Sequence, residues 1–239
     1  MLSVFKREFR SLFCGYRAYS FTAIFAICYL AVRMIYNYMV LYDRLLGFIN
    51  QEYILALLPA AFALAVPVIT FSMYEEERRG DVFSFLRSLP ISDGDVFWGK
   101  YLSRAALFGV VYSGLILIDV FLGFYSGVSV FTVIYSVVSY VLICFALLAL
   151  NIFLACAFEN KFVALGVGYG ITGLFITLTL TRYMGSHILL KFFEPMSVLG
   201  SYTSVVFGVI DVSYIALWIS LGGLFTYLSY YFIKKEIRL

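Results

Sequence analysis

The sequence has few charged residues for its length. Of its 239 residues only 13% are Asp, Glu, Lys or Arg, whereas 63% are hydrophobic and 20% are aromatic. Soluble domains carry about 25% charged residues. So few charges cannot cover the surface of a water-soluble protein of this length, and lipid must therefore solvate most of the chain. The composition excludes an ordinary soluble protein.

Residues that bind metals are also scarce. His187 is the only histidine, which excludes a histidine-rich metal site. The cysteines show no metal-ligand spacing and lie at or within apolar segments, at Cys14, Cys28, Cys144 and Cys156. We expect them to be small packing residues, and they do not indicate a redox compartment.

Motifs of membrane-embedded enzymes and carriers are missing as well. Ser113-Gly114 lacks the preceding glycine of an intramembrane serine protease, and Asp93 with Asp95 is too sparse for the metal site of a lipid-headgroup transferase. A secondary transporter usually shows internal repeats, and this sequence shows none. We therefore predict no catalytic residues and no cofactor in this chain. A secondary carrier or channel without an ATPase stays open as the alternative.

What the sequence does have is long hydrophobic runs. Six of them reach the ~20 residues that a helix needs to cross ~30 Å of hydrocarbon. We predict an all-α membrane protein with one domain, residues 1–239, and spans at roughly 20–42, 53–74, 101–123, 129–157, 162–181 and 212–233. The first run begins late and is too long for the apolar core of a cleavable signal peptide.

Basic residues are distributed unevenly between the connections. They concentrate near the N-terminus, in the segment Glu75–Lys100 and at the C-terminus, whereas the opposite connections hold only Arg44, Arg182 and Lys191. Basic residues stay on the cytoplasmic side of a membrane. We therefore predict that both termini and Glu75–Lys100 are cytoplasmic.

Residues 1–19 predict an amphipathic helix rather than a span. Apolar Val4 and Phe9 alternate with basic Lys6 and Arg10. This pattern is typical of a helix in the membrane interface, with its basic side chains near anionic headgroups. A basic flank without fixed structure is the alternative.

The segment Glu75–Lys100, which we call the polar segment, reads EEERRGDVFSFLRSLPISDGDVFWGK. Asp81 can cap a short helix that runs to about Leu89, with apolar residues at helical spacing. Pro90 ends this helix, and Ser92 can then cap the third span in a near capping box. A cytosolic helix with an apolar face needs a partner, unless it rests on the bilayer.

Three residues of this segment imitate a phosphate-binding loop. Gly94, Gly99 and Lys100 match its G-x-x-x-x-G-K skeleton. Tyr101 stands where a Ser or Thr must contact magnesium, and no strand precedes the motif. We expect no nucleotide binding by this chain.

The polar segment resembles the signature of type-2 ABC transporter permeases, in particular the gliding-motility branch. That signature runs approximately E-x-x-x-G-x-x-x-x-L-x-x-L-P-[VI]-S, then an acidic residue, then G-K. It is carried here by Glu76, Gly80, Phe85, Leu89, Pro90, Ile91, Ser92, Asp95, Gly99 and Lys100, with Phe85 replacing a leucine. The residues FGVID before the last span are similar to the family's entry into its sixth helix.

The resemblance implies a permease subunit of the prokaryotic inner membrane that works in a pair with the same or a related chain. Each permease would bind one ATPase, which holds the ATP and magnesium. The loop 75–98 would carry the coupling helix, and we choose as its contact residues Arg78, Gly80, Phe83, Leu86, Leu89 and Pro90. Residues 1–19 would be the family's interfacial elbow. We expect lipid but no nucleic acid among its partners.

The apolar, aromatic spans favour export of a lipid, hydrophobic peptide or drug-like amphiphile. Residues 182–211 are too apolar for a free loop, and the resemblance implies an extracytoplasmic re-entrant segment with gate residues Glu194, Pro195 and Asp211.

Two further pairs are candidate sites within the spans. Gly166 and Gly170 have the spacing that allows close helix contact, either within the chain or, as the resemblance implies, between two permeases. Arg33 and Asp119 are the only charges well inside spans. We expect them to pair or to line the pathway together. Separate snorkelling to the outer interface is the alternative.

Overall fold

The computed structural model describes residues 2–43, 52–71, 73–74, 92–125, 130–178 and 212–238. Within these ranges the protein has seven helices and no strand, which confirms the predicted all-α class for the described residues. The helices are α1 Leu2–Cys14, α2 Tyr16–Asp43, α3 Glu52–Thr70, α4 Asp93–Tyr125, α5 Val130–Ala157, α6 Lys161–Thr177 and α7 Val212–Arg238.

Two of these helices are long and apolar enough to cross a membrane, at Val133–Ala157 and Val212–Lys235. A third candidate is the pair Leu2–Cys14 and Tyr16–Ala31, if its two helices count as one broken span. Large apolar side chains stand exposed on several helices, as Met34 does at 75% of its surface. Contiguous exposed apolar surface of this kind is typical of a membrane or partner contact. The described helices are therefore compatible with an integral membrane protein.

The N-terminal amphipathic helix is present but shorter than predicted. It ends at Cys14 rather than at 19, and α2 begins at Tyr16 after a bend of 66°. Val4 and Leu12 are buried on its inner face. The alternative of a flank without fixed structure is therefore wrong, because apolar burial fixes α1 against the rest of the protein.

Helix α4 begins at Asp93, inside the predicted loop 75–98, rather than at 101. Ser92 Oγ accepts a hydrogen bond from the Asp95 backbone N–H at 3.2 Å, which confirms the predicted cap. With 33 residues, α4 is about 50 Å long at 1.5 Å per residue. This length exceeds the ~30 Å of hydrocarbon, so a membrane-embedded α4 extends beyond the bilayer.

Helix α5 lies at the centre of the described structure and packs against α3, α4, α6 and α7. In its apolar stretch 67% of residues are buried, against 17% in that of α7, so α7 lies at the periphery. Cys144 and Cys156 are buried in α5, as predicted for packing residues. Cys14 is exposed at the end of α1, and there the packing prediction is wrong.

One end of the bundle gathers several chain segments, because α1 and the final turns of α7 both pack against the start of α4. The Tyr230 ring of α7 lies 5.7 Å from the Phe97 ring of α4, and Phe153 of α5 lies 5.7 Å from Phe232. Every lysine and arginine whose side chain the structure describes lies at this end, namely Lys6, Arg7, Arg10, Arg17, Lys100, Arg104, Lys161, Lys234 and Lys235. We call it the basic end.

Candidate functional site

The candidate site lies at the basic end, where α1 crosses the first turns of α4. Gly99 occupies the crossing point. A Cβ added there would lie 2.8 Å from Val4 Cγ1 and 3.2 Å from the Phe5 backbone nitrogen. The first distance is shorter than Cβ contacts in real proteins and the second would require the α1 backbone to shift, so glycine is the residue that lets the two helices approach this closely. The glycine of the G-K pair is therefore required by helix packing.

Three charged side chains meet beside this crossing, and we call Glu8, Lys100 and Arg104 the junction cluster. The Lys100 ammonium lies 3.6 Å from Glu8 Oε1, and an Arg104 guanidinium nitrogen lies 3.3 Å from Glu8 Oε2. The side chains of Lys100 and Arg104 are only 2% and 1% exposed, and that of Glu8 is 13% exposed. One carboxylate thus faces two buried cations, which are little screened by salt.

The junction cluster also reaches the end of α3. Lys100 Nζ donates a hydrogen bond to the Met73 carbonyl at 3.0 Å and lies 5.1 Å from the centroid of the Tyr74 ring. The same Arg104 nitrogen also donates to the Lys100 carbonyl at 3.1 Å and to Ser103 Oγ at 3.0 Å. Lys100 therefore links three segments: α1, the residues that follow α3, and α4.

The protonation state of Glu8 follows from opposing effects. Burial on its own raises the pKa of the Glu8 carboxyl, but the charges of Lys100 and Arg104 and a hydrogen bond from Arg7 outweigh it, so the pKa lies below its ordinary 4.5. A group with a lowered pKa stabilises the folded state above its ordinary pKa. That contribution is lost only as the pH falls through the lower folded value. The Glu8 carboxyl is therefore ionised throughout the physiological pH range.

The sequence analysis missed Glu8. Two signals pointed to it: Glu8 is the only acidic residue before Asp43, and Lys100 and Arg104 are four positions apart in an otherwise apolar run. Residues four apart share one face of a helix, so one acidic neighbour can contact both cations.

The chain gives no match to any protein-family model or to any curated protein. The resemblance to type-2 ABC permeases therefore remains a prediction from the quoted residues.

The phosphate-binding-loop skeleton does not form a loop. Gly94, Gly99 and Lys100 all lie in α4, and Tyr101 is buried at 1% exposure. A phosphate cradle needs backbone N–H groups that are free to face the anion, and a helix uses most of them internally. Among the described residues no three His, Cys, Asp or Glu side chains form a metal site.

Most of the predicted site residues lie outside the described residues. They are the coupling residues Arg78, Gly80, Phe83, Leu86, Leu89 and Pro90 and the gate residues Glu194, Pro195 and Asp211. The roles of these residues stay predictions.

Helix α6 packs against the described residues through one face. Ala164, Gly168 and Thr172 are buried, and a Cβ added at Gly168 would lie 2.8 Å from Asn151 Oδ1 of α5. Gly166 and Gly170 are exposed, with nothing within 4 Å of an added Cβ among the described residues. No described residue covers this pair, and its close helix contact, within the chain or between two permeases, stays a prediction.

Arg33 lies in α2 and Asp119 in α4, and the structure does not describe their side chains. If they pair, Arg33→Ala and Asp119→Ala should each destabilise the protein, and the double charge swap should recover part of the loss. The stability effects should deviate from additivity by at least about 0.5 kcal/mol. Thermal unfolding of the purified variants measures this deviation.

The matched control combines Arg33→Ala with Asp95→Ala, an acidic residue at the basic end, and should be additive. Additivity for the Arg33 and Asp119 pair as well would leave separate snorkelling as the correct account.

Proposed function

We propose that this chain is the membrane-spanning permease subunit of a type-2 ABC transporter, and that it exports a hydrophobic or amphipathic substrate using ATP hydrolysis in a separate ATPase. The observation that carries the proposal is the arrangement of the basic end. There α4 extends past the length of a span, and Lys100 donates a hydrogen bond to Met73 after the end of α3, so the residues on both sides of the stretch 75–91 belong to the same end of the bundle. The short helix that the sequence predicts in this stretch would be well placed to transfer movement from a soluble subunit.

The charge distribution supports the predicted sidedness. All described lysine and arginine side chains lie at the basic end, and both chain ends meet there. Under the positive-inside rule the basic end faces the cytoplasm. The polar segment is then on the side where an ATPase can reach it, and six spans connect the two sides.

The exposed glycines of α6 support a second permease as partner. Gly166 and Gly170 leave an open strip on the helix face that the described chain does not cover. Small residues at this spacing let two membrane helices approach closely. The transporter is then a pair of permeases with two ATPase subunits, and the ATP and magnesium belong to the ATPases.

Co-purification from native membranes tests the proposed function. A tagged chain extracted in mild detergent should carry an equimolar subunit with a phosphate-binding loop, and vanadate should inhibit the ATP hydrolysis of the complex. Purified chain that moves solutes in vesicles without any ATPase would instead identify a secondary carrier or channel.

Cysteine labelling in intact cells tests the sidedness. In a background without native cysteines, Ser84→Cys should react with an impermeant reagent only after the cells are permeabilised. Ser186→Cys, in the predicted extracytoplasmic segment, is the matched control and should react in intact cells. Reaction of Ser84→Cys from outside would reverse the orientation and overturn the proposed function.

A further inference from the structure

The junction cluster fixes α1 by charge and by shape at the same place. Glu8 uses both carboxylate oxygens, one toward Lys100 at 3.6 Å and one toward Arg104 at 3.3 Å. Beside them Val4 and the Phe5 backbone pack directly on Gly99. The ion pairs of Glu8 and the steric contact at Gly99 lie within one turn of α1, and together they oppose sliding and rolling of α1 on α4. These residues of α1 and α4 therefore behave as one body.

The contact between α1 and α4 lies close to both ends of the stretch 75–91. Met73 and Tyr74 are the last described residues before the stretch 75–91, and α4 begins just after it. Lys100 contacts Met73 and Glu8 with the same ammonium group. Lys100 therefore connects Met73, two residues before the stretch 75–91, to both α1 and α4.

The burial of Lys100 and Arg104 makes the contact between α1 and α4 resistant to separation. The side chains of Lys100 and Arg104 are almost wholly inaccessible, whereas Arg7, which also contacts Glu8, is 60% exposed. Exposed ion pairs contribute little and exchange readily with water, whereas an unpaired buried charge is strongly unfavourable. Separation of α1 from α4 would leave two buried cations without their carboxylate.

We propose that Glu8 is a positioning residue for energy coupling: by holding Lys100 and Arg104 it makes α1 move together with the cytoplasmic stretch 75–91. The source of that movement, an ATPase, rests on the proposed function, whereas the joint itself does not. The interfacial helix is then a moving part of the transporter rather than a passive anchor.

The first experiment tests the joint in the isolated chain. Spin labels at Ser3→Cys and Ser113→Cys are both exposed, and Ser113 lies about 21 Å along α4 from Gly99 at 1.5 Å per residue. In a background without native cysteines, the wild-type distance distribution should be narrow. Glu8→Gln, which keeps the shape but removes the charge, should widen it at least twofold. Arg10→Gln also removes one charge from exposed α1 and should leave the width unchanged.

The second experiment tests coupling in the assembled complex. The native thiol of Cys14 is exposed at the end of α1, and Cys28→Ala removes the half-buried thiol of α2. Trapping with ATP, magnesium and vanadate should change the labelling rate of Cys14 at least threefold. Glu8→Gln should abolish this ATP dependence while the ATPase remains bound. A purely structural role for Glu8 would alter the rate equally with and without ATP.

The two measurements separate the possible failures. A narrow distribution in Glu8→Gln, or an unchanged ATP response of Cys14 in that variant, overturns the positioning role. A wild-type chain that binds no ATPase overturns the proposed function, whereas the spin-label distances still report on the joint. If Glu8→Gln does not accumulate, Glu8→Asp serves in both experiments. Its shorter carboxylate cannot reach both cations, so it should give an intermediate width, and a wild-type width would contradict the proposal.

Discussion

Replacing Gly99 with leucine is expected to displace α1 from α4 and to destabilise the folded protein by about 3–5 kcal/mol. Even the first added carbon would lie 2.8 Å from Val4 Cγ1 and 2.9 Å from Val4 Cβ. Overpacking of this kind costs about 1–3 kcal/mol by itself. When α1 moves away, Lys100 and Arg104 also lose Glu8, and breaking a buried ion pair costs about 3–5 kcal/mol. The larger of these two costs sets the expected range.

Gly109→Leu is the matched control, because Gly109 lies in the same helix and has no described residue within 4 Å of an added Cβ. Leucine is a better helix former than glycine by nearly 1 kcal/mol, so this control should leave stability unchanged or raise it. Thermal unfolding of the purified variants in detergent measures both effects. Equal effects at the two positions would mean that the crossing of α1 and α4 contributes nothing specific.

Replacing Leu86 with aspartate is expected to separate the chain from its proposed ATPase partner without preventing membrane insertion. Leu86 lies on the apolar face of the helix that the sequence predicts between Asp81 and Pro90. A carboxylate buried unpaired in an apolar contact costs at least about 3 kcal/mol. That cost corresponds to a loss of more than about 100-fold in affinity. The amount of ATPase that co-purifies per permease measures this loss.

Ser84→Asp is the control for charge, because Ser84 lies on the opposite side of the same predicted helix. It should retain the ATPase, since its carboxylate stays in water. If Leu86→Asp binds the ATPase as well as the wild type does, this helix is not the docking element. The ATPase would then have to contact another part of the basic end.

Local features of the structure could be predicted from the sequence because local signals encode them. Alternating apolar and basic residues predicted α1, and a serine before an acidic turn predicted the cap at Ser92. The long apolar runs predicted an all-helical protein, which the described residues confirm. Such patterns depend only on neighbours within a few turns.

The junction cluster could not be predicted in the same way, because Glu8 and Arg104 are 96 positions apart. No periodicity within a helix specifies which distant helix will lie against it. Gly99 was recognised only as part of a signature, and its physical reason appears once Val4 is seen against it. Similarly, the glycines of α6 predicted a close contact, but only the fold shows that Gly168 packs on α5 while no described residue covers Gly166 or Gly170.

The 96 positions between Glu8 and Arg104 also set an order of events during synthesis. At about 5–20 residues per second, α1 leaves the ribosome roughly 5–20 s before Arg104 does. During that interval Glu8 has neither of its cations, and Val4 has no Gly99 to pack on. The N-terminal helix of the growing chain therefore lacks these contacts until the start of α4 has been synthesised. A chain whose synthesis stops before Lys100 should therefore have an N-terminal helix that is not packed against α4 and is sensitive to protease.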